Sequence, residues 1–138
     1  MTFSIYTLLG DGSPKMTNES LAADLRHFFR NEEGFSLQFE KLPFVKHETL
    51  ALRWDKWLVR VFYEEGARVV QDSEEISRVV GAAAPPGLAR IGRRIRIVFR
   101  DYDDDTYTNQ VAFMMDFLRE IPGSILFDPQ QRDLINFT

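Results

Sequence analysis

The chain switches repeatedly between two spacings of apolar residues. Phe3 to Leu9 is rich in β-branched and aromatic residues and stops at the turn formers Gly10-Asp11-Gly12-Ser13-Pro14, which predicts a strand and a loop. Leu21, Ala22, Leu25, Phe28 and Phe29 then recur at helical spacing, with Thr17 or Asn18 able to accept the free amides of the first turn. That helix is expected to reach about Arg30, where Asn31-Glu32-Glu33-Gly34 ends it. Phe35, Leu37 and Phe39 alternate with Ser36, Gln38 and Glu40 as a half-buried strand requires, and Pro43 closes it. Leu50, Leu52 and Trp54 alternate again, Asp55-Lys56 makes a tight turn, and Trp57 to Tyr63 returns as the second strand of a hairpin.

Further along, Asp72 and Glu75 have the spacing of a capping box ahead of Ile76, Val79 and Val80, so a helix is predicted there. Gly81 to Gly87, with its Pro85-Pro86 pair, breaks it. Arg94-Ile95-Arg96-Ile97-Val98-Phe99-Arg100 alternates as a strand. Thr108 or Asn109 can cap a helix carrying Val111, Met114, Met115, Phe117, Leu118 and Ile121. Pro122-Gly123 stops that helix, Ser124 to Phe127 is a short apolar strand, and Leu134-Ile135 is a final edge strand. The order β-α-β-β-β-α-β-α-β predicts a single α+β domain over 1–138, with an antiparallel or mixed sheet and helices packed on one face.

Composition narrows the function classes. A chain of 138 residues, 44% hydrophobic and 13% aromatic, has material for one core. Twelve Phe and two Trp add either a thick core or aromatic surface for a partner. A net charge of −4 argues against nucleic acid, whose binders release counterions with a basic face. With no Cys there is no disulfide, thiolate nucleophile or sulfur-ligated metal. No apolar run is long enough for a bilayer span, and Met1-Thr2-Phe3-Ser4-Ile5 lacks the basic start of a signal peptide, so a cytoplasmic protein with no membrane partner is expected.

The candidate sites follow from charge and aromatic placement. Asp101, Asp103 and Asp105 begin a calcium-loop spacing, but Thr106 stands where that loop needs Gly and Ala112 where it needs a bidentate Glu, so no metal is expected. Such carboxylates can instead support the following helix or steer a basic partner. Arg94, Arg96 and Arg100 share one strand face, expected to be solvent-exposed and balanced by nearby acids, with an anion site formed by Arg93, Arg94, Arg96 and Arg100 as the alternative. His27 and His47 have no third histidine to complete a metal shell. Gly12-Ser13-Pro14 is no nucleophile elbow and Gly10-Asp11-Gly12 no dinucleotide fingerprint, so neither enzyme nor cofactor is expected. Trp54 and Trp57 flank the hairpin turn, where at least one indole is hard to bury; an exposed interface anchor and mutual packing across the hairpin both stay open.

The stretch Asn109-Gln110-Val111-Ala112-Phe113-Met114-Met115-Asp116-Phe117-Leu118, preceded by the acidic strand end and followed by Ile121-Pro122-Gly123-Ser124-Ile125-Leu126-Phe127-Asp128, resembles the C-terminal part of small immunity proteins. These are cognate inhibitors encoded beside bacterial polymorphic toxins, including SitI-like proteins and immunity proteins of type VI secretion effectors. The resemblance covers about a quarter of the chain. It implies a cytoplasmic protein that binds a toxin domain with a basic surface and blocks it without catalysis. Asp101, Asp103, Asp104, Asp105, Trp54 and Trp57 are then the candidate partner-binding residues. A homodimer is left open, and a small-molecule-binding α+β domain with an aromatic-lined pocket and an Arg row is the competing class.

Overall fold

The computed structural model describes residues 2–100 and 105–135. The described strands are β1 (Thr2–Leu9), β2 (Phe35–Glu40), β3 (Thr49–Trp54), β4 (Trp57–Glu65), β5 (Arg93–Arg100), β6 (Ser124–Asp128) and β7 (Asp133–Leu134). They form one sheet in the order β2-β3-β4-β5-β1-β6-β7, and every pairing is antiparallel. Helices α1 (Asn18–Phe28), α2 (Ala67–Val80) and α3 (Thr108–Arg119) complete the predicted α+β domain, and two short 3-10 turns, Gly81–Ala83 and Leu88–Arg90, fill the break after α2.

Alternation divides the sheet into two chemically different faces. Ile5, Leu52, Val59, Val61, Ile95, Ile97 and Phe99 point to the side covered by Leu21, Leu25 and Phe29 of α1 and Met114 and Leu118 of α3. On the other side Leu8 and Phe127 belong to a second buried cluster, where Ile76 of α2 packs with Leu88 and Ile91. The expectation of helices on one face therefore holds for α1 and α3, while α2 crosses the opposite face, near β4, β5 and β7, with Ile76 packed on Leu8 and Phe127. Ser36 and Gln38 on that opposite face of β2 stay exposed because no apolar helix stripe reaches them.

The local signals worked unevenly. Thr17 caps α1 as expected, in a reciprocal capping box with Ser20. Thr108 is instead the first residue of α3, whose N-cap is Tyr107. The Asp72/Glu75 capping box does not form: α2 begins at Ala67, behind Gly66 at φ 118° with no side-chain cap. Asp72 lies inside the helix, and its carboxylate is used by Arg94. The Asp55-Lys56 turn is as expected, with Trp54 opposite Trp57 and Asp55 at the positive φ of 55° that primed hairpin turns use.

Gly123 ties the bottom of the sheet together. At φ 75° it occupies the left-handed region, its carbonyl accepts from the Gly10 amide at 3.1 Å, and an added Cβ would sit 3.0 Å from the Ser13 backbone nitrogen. Ser13 Oγ lies at 3.1 Å and the Gly12 carbonyl carbon at 3.2 Å, so a Cβ has to displace backbone as well as a side chain. Gly123→Ala is expected to cost about 1–3 kcal/mol and lower Tm by several degrees in a thermal melt; an unchanged Tm would show that the 10–13 and 122–124 segments are not locked together.

Candidate functional site

Strand register brings three loops to one end of the sheet. Phe35 pairs with Trp54, Trp54 with Trp57, and Val59 with Phe99, so the 30–34 loop, the Asp55-Lys56 turn and the C-terminal end of β5 share that end. Glu33, Asp55, Lys56 and Asp105 are exposed there. The candidates Asp101, Asp103 and Asp104 lie outside the described residues.

Beneath these charges is a block of rings. Trp57 stacks on Tyr107 at 4.4 Å and 6°, on Phe99 at 6.1 Å, and lies 5.6 Å from Trp54. Trp54 in turn meets Phe29 at 5.1 Å and Phe35 at 5.0 Å. The Tyr107 hydroxyl donates to the Trp54 carbonyl at 3.4 Å, tying the start of α3 to the hairpin. Trp54 is 3% and Trp57 4% exposed, which corrects the exposed-anchor placement: neither indole is available to a partner. A directly opposed hairpin pair projects to a single face, and here that face carries α1 and α3, so both rings enter the core. The indoles lie beneath the exposed charges of this end.

The arginine row is balanced by acids as expected, but it is not solvated at its Arg94 end. Arg94 has a side chain only 7% exposed, under α2. Its Nε donates to Glu64 at 2.9 Å, its Nη1 to Asp72 at 2.8 Å, and its guanidinium lies 4.8 Å from the Tyr6 ring. Arg96 donates to both Glu64 oxygens at 3.3 Å and stacks 3.9 Å above Phe62. Arg60 and Arg53 share Glu40, at 2.9 and 3.7 Å. The expected solvated face is thus an ion-pair ladder, closed by α2 at its Arg94 end. Burial alone would raise the Glu64 carboxyl, but hydrogen bonds and charge from Arg96 and then Arg94 outweigh it and hold the carboxyl below its usual range. Arg94 is itself held above its ordinary value: burial opposes the charge, but Glu64 and Asp72 more than compensate.

Arg93, grouped by sequence with Arg94, Arg96 and Arg100 as a candidate anion site, points to the other face. It donates to the carbonyls of Pro14 at 2.8 Å, Ser13 at 3.0 Å and Gly10 at 3.4 Å, fixing the 10–14 loop. With Lys15, Met16, Tyr63 and Glu65 it lines a cleft of about 360 Å³ at the end opposite the carboxylates. There the Tyr63 hydroxyl donates to Glu65 at 2.9 Å, and burial, then Glu65, raise the phenol pKa against the opposing pull of Arg93. A second cleft, about 230 Å³, lies between Pro85, Arg119, Leu126 and Ile135. Neither cleft is lined by Arg96 or Arg100.

Among the described residues no group of His, Asp or Glu is arranged to hold a metal ion, and no helix is long and apolar enough to cross a membrane. His27 and His47 are both exposed, on α1 and in the 41–48 loop. Comparison with family models, with curated proteins and with solved structures finds no match for this chain.

Proposed function

We propose that the chain is an immunity-type protein that binds and neutralises a cognate toxin domain by stoichiometric contact, in the cytoplasm of the cell that makes the toxin. The observation that carries this reading is the end of the sheet where exposed Asp55 and Asp105 come from separate loops over the locked Trp54-Trp57-Tyr107 block. Loops anchored on packed rings lose little freedom on binding, so more of the contact energy appears as affinity. A carboxylate surface of this kind selects and orients a basic cleft, the feature by which a toxin domain acting on nucleic acid or nucleotides would be recognised. Asp101, Asp103 and Asp104 extend the same acidic run in sequence. The competing small-molecule reading needs a pocket containing Arg96 or Arg100, and Arg96 is instead committed to Glu64.

Co-expression with the toxin encoded beside this chain tests the proposal. A stable one-to-one complex and protected cells are expected; absence of a complex, with cells dying as they do under toxin alone, would end it. In stopped-flow mixing at low salt, reversing Asp55 and Asp105 to Lys, or Asp103 and Asp104 to Lys, is expected to slow association about tenfold and flatten its salt dependence. Unchanged rates would remove the acidic end from the interface.

A further inference from the structure

Strand β2 is a sheet edge whose outward main-chain groups can be identified by counting from the hairpin. Trp54 and Trp57 flank a two-residue turn and exchange hydrogen bonds, so Leu50, Leu52 and Trp54 direct their main-chain groups to β4. Thr49, Ala51 and Arg53 then face β2, bonding Glu40, Gln38 and Ser36. Phe35, Leu37 and Phe39 are left with N–H and C=O pointing away from the sheet. The Leu37 carbonyl agrees, since it accepts from Arg26 Nη2 at 3.1 Å across the edge.

We infer that this edge pairs with the same edge of a second copy of the chain, antiparallel about a two-fold axis through Leu37. In that register Leu37 opposes its own counterpart and Phe35 opposes Phe39, each pair exchanging two main-chain bonds. The charges flanking β2 select this arrangement. Glu33 precedes the strand and Lys41 follows it, both exposed, and the two-fold places each Glu33 opposite the Lys41 of the second copy. A parallel pairing would instead set Glu33 beside Glu33 and Lys41 beside Lys41. Phe39, 37% exposed on this edge, becomes covered by the opposing Phe35. The two-fold also brings the 41–48 loop alongside the second copy's 30–34 loop. At its tip Phe44 is fully exposed at a left-handed φ of 64°, a conformation costly for a bulky side chain, and Lys41 Nζ pins the loop through the Val45 and Lys46 carbonyls. Arg26 acts as a removable guard: its guanidinium lies 5.9 Å from the Phe39 ring and on the Leu37 carbonyl, and it must swing away for the edges to meet.

The inference is independent of the toxin reading and is tested on the chain alone, by sedimentation equilibrium at low salt. A concentration-dependent dimer is expected. Phe39→Pro removes an outward N–H and the ring beside Arg26 while leaving the main-chain bonds of β2 to β3 in place, so it is expected to give a monomer with an unchanged circular dichroism spectrum. Glu33→Lys is expected to raise the dimer Kd about tenfold, Lys41→Glu, which also frees the Val45 and Lys46 carbonyls, by at least as much, and the double exchange to bind more tightly than Lys41→Glu alone. Arg26→Ala is expected to tighten association. A monomer at every concentration for both the native chain and Arg26→Ala, or a dimer unaffected by Phe39→Pro and by the charge exchange, would overturn it. If Phe39→Pro unfolds the chain, the charge exchange alone decides.

Discussion

Trp57→Ala is expected to lose about 3–5 kcal/mol of folding stability, read as a lower denaturation midpoint at unchanged slope. The indole is 4% exposed and touches Trp54, Phe99 and Tyr107, so its removal opens a cavity where the β3–β4 hairpin, β5 and the start of α3 meet. Tyr107 loses its stacking partner as well, and the first turn of α3 loosens with it. A domain typically has about 5–15 kcal/mol in total, so this one substitution brings the chain near its folding threshold. Trp57→Phe is the informative control: it keeps a ring in the site and removes an indole N–H that has no hydrogen-bond partner among the described residues. It is expected to cost clearly less than Trp57→Ala, because the cavity left is smaller. A surface anchor would behave in the reverse way, with near-native stability for both variants and lost affinity for a partner. Native stability in Trp57→Ala would therefore refute the buried placement.

The two tryptophans also show what sequence could and could not fix. Leu50, Leu52, Trp54 and Trp57, Val59, Val61 already place both indoles on the apolar face of their strands. The competing argument, that a hairpin tip projects from the sheet, fails because α3 begins directly over the tip and Tyr107 closes it. That closure is a tertiary event with no local signature. Strand positions, the Asp55-Lys56 turn and the Thr17 cap were legible because each depends on neighbours within a few residues. The start of α2 was not, for two physical reasons. Gly66 supplies no capping side chain, and Ser73, fully buried where an apolar residue belongs, interrupts the helical pattern while donating to the Ile91 carbonyl at 2.8 Å. Asp72 and Glu75 then imitate a capping box in mid-helix. The meeting of Asp55 and Asp105 at one end is a consequence of register, visible only once β3, β4 and β5 are aligned.

Arg94→Met is expected to cost about 2–3 kcal/mol in chemical denaturation and to change the acid limb of stability. Alternation alone assigns Arg94 to a solvated face, because its partners lie in other elements, Glu64 in β4 and Asp72 in α2. Removing the guanidinium leaves both carboxylates without their closest cation beneath the helix, a change that costs about 3–5 kcal/mol in a fully buried pair. Here Glu64 is 30% and Asp72 34% exposed, so solvent screens part of that cost and the lower figure is expected. The direction of the pH effect follows from Glu64. Its pKa is lowered on folding, so the stability it contributes is present above the ordinary glutamate value of about 4.3 and is lost as pH falls through the lower folded value. The native chain should therefore lose stability below about pH 4.3 more steeply than Glu64→Gln, and the gap between the two should close as the carboxyl becomes protonated. In Arg94→Met the Arg96 contacts remain, so the depression of Glu64 weakens without vanishing and the acid limb moves toward ordinary pH values. If native, Glu64→Gln and Arg94→Met chains share one pH profile, the ion-pair ladder contributes nothing to the fold, and α2 is held to the sheet by the apolar cluster around Leu8, Ile76 and Phe127.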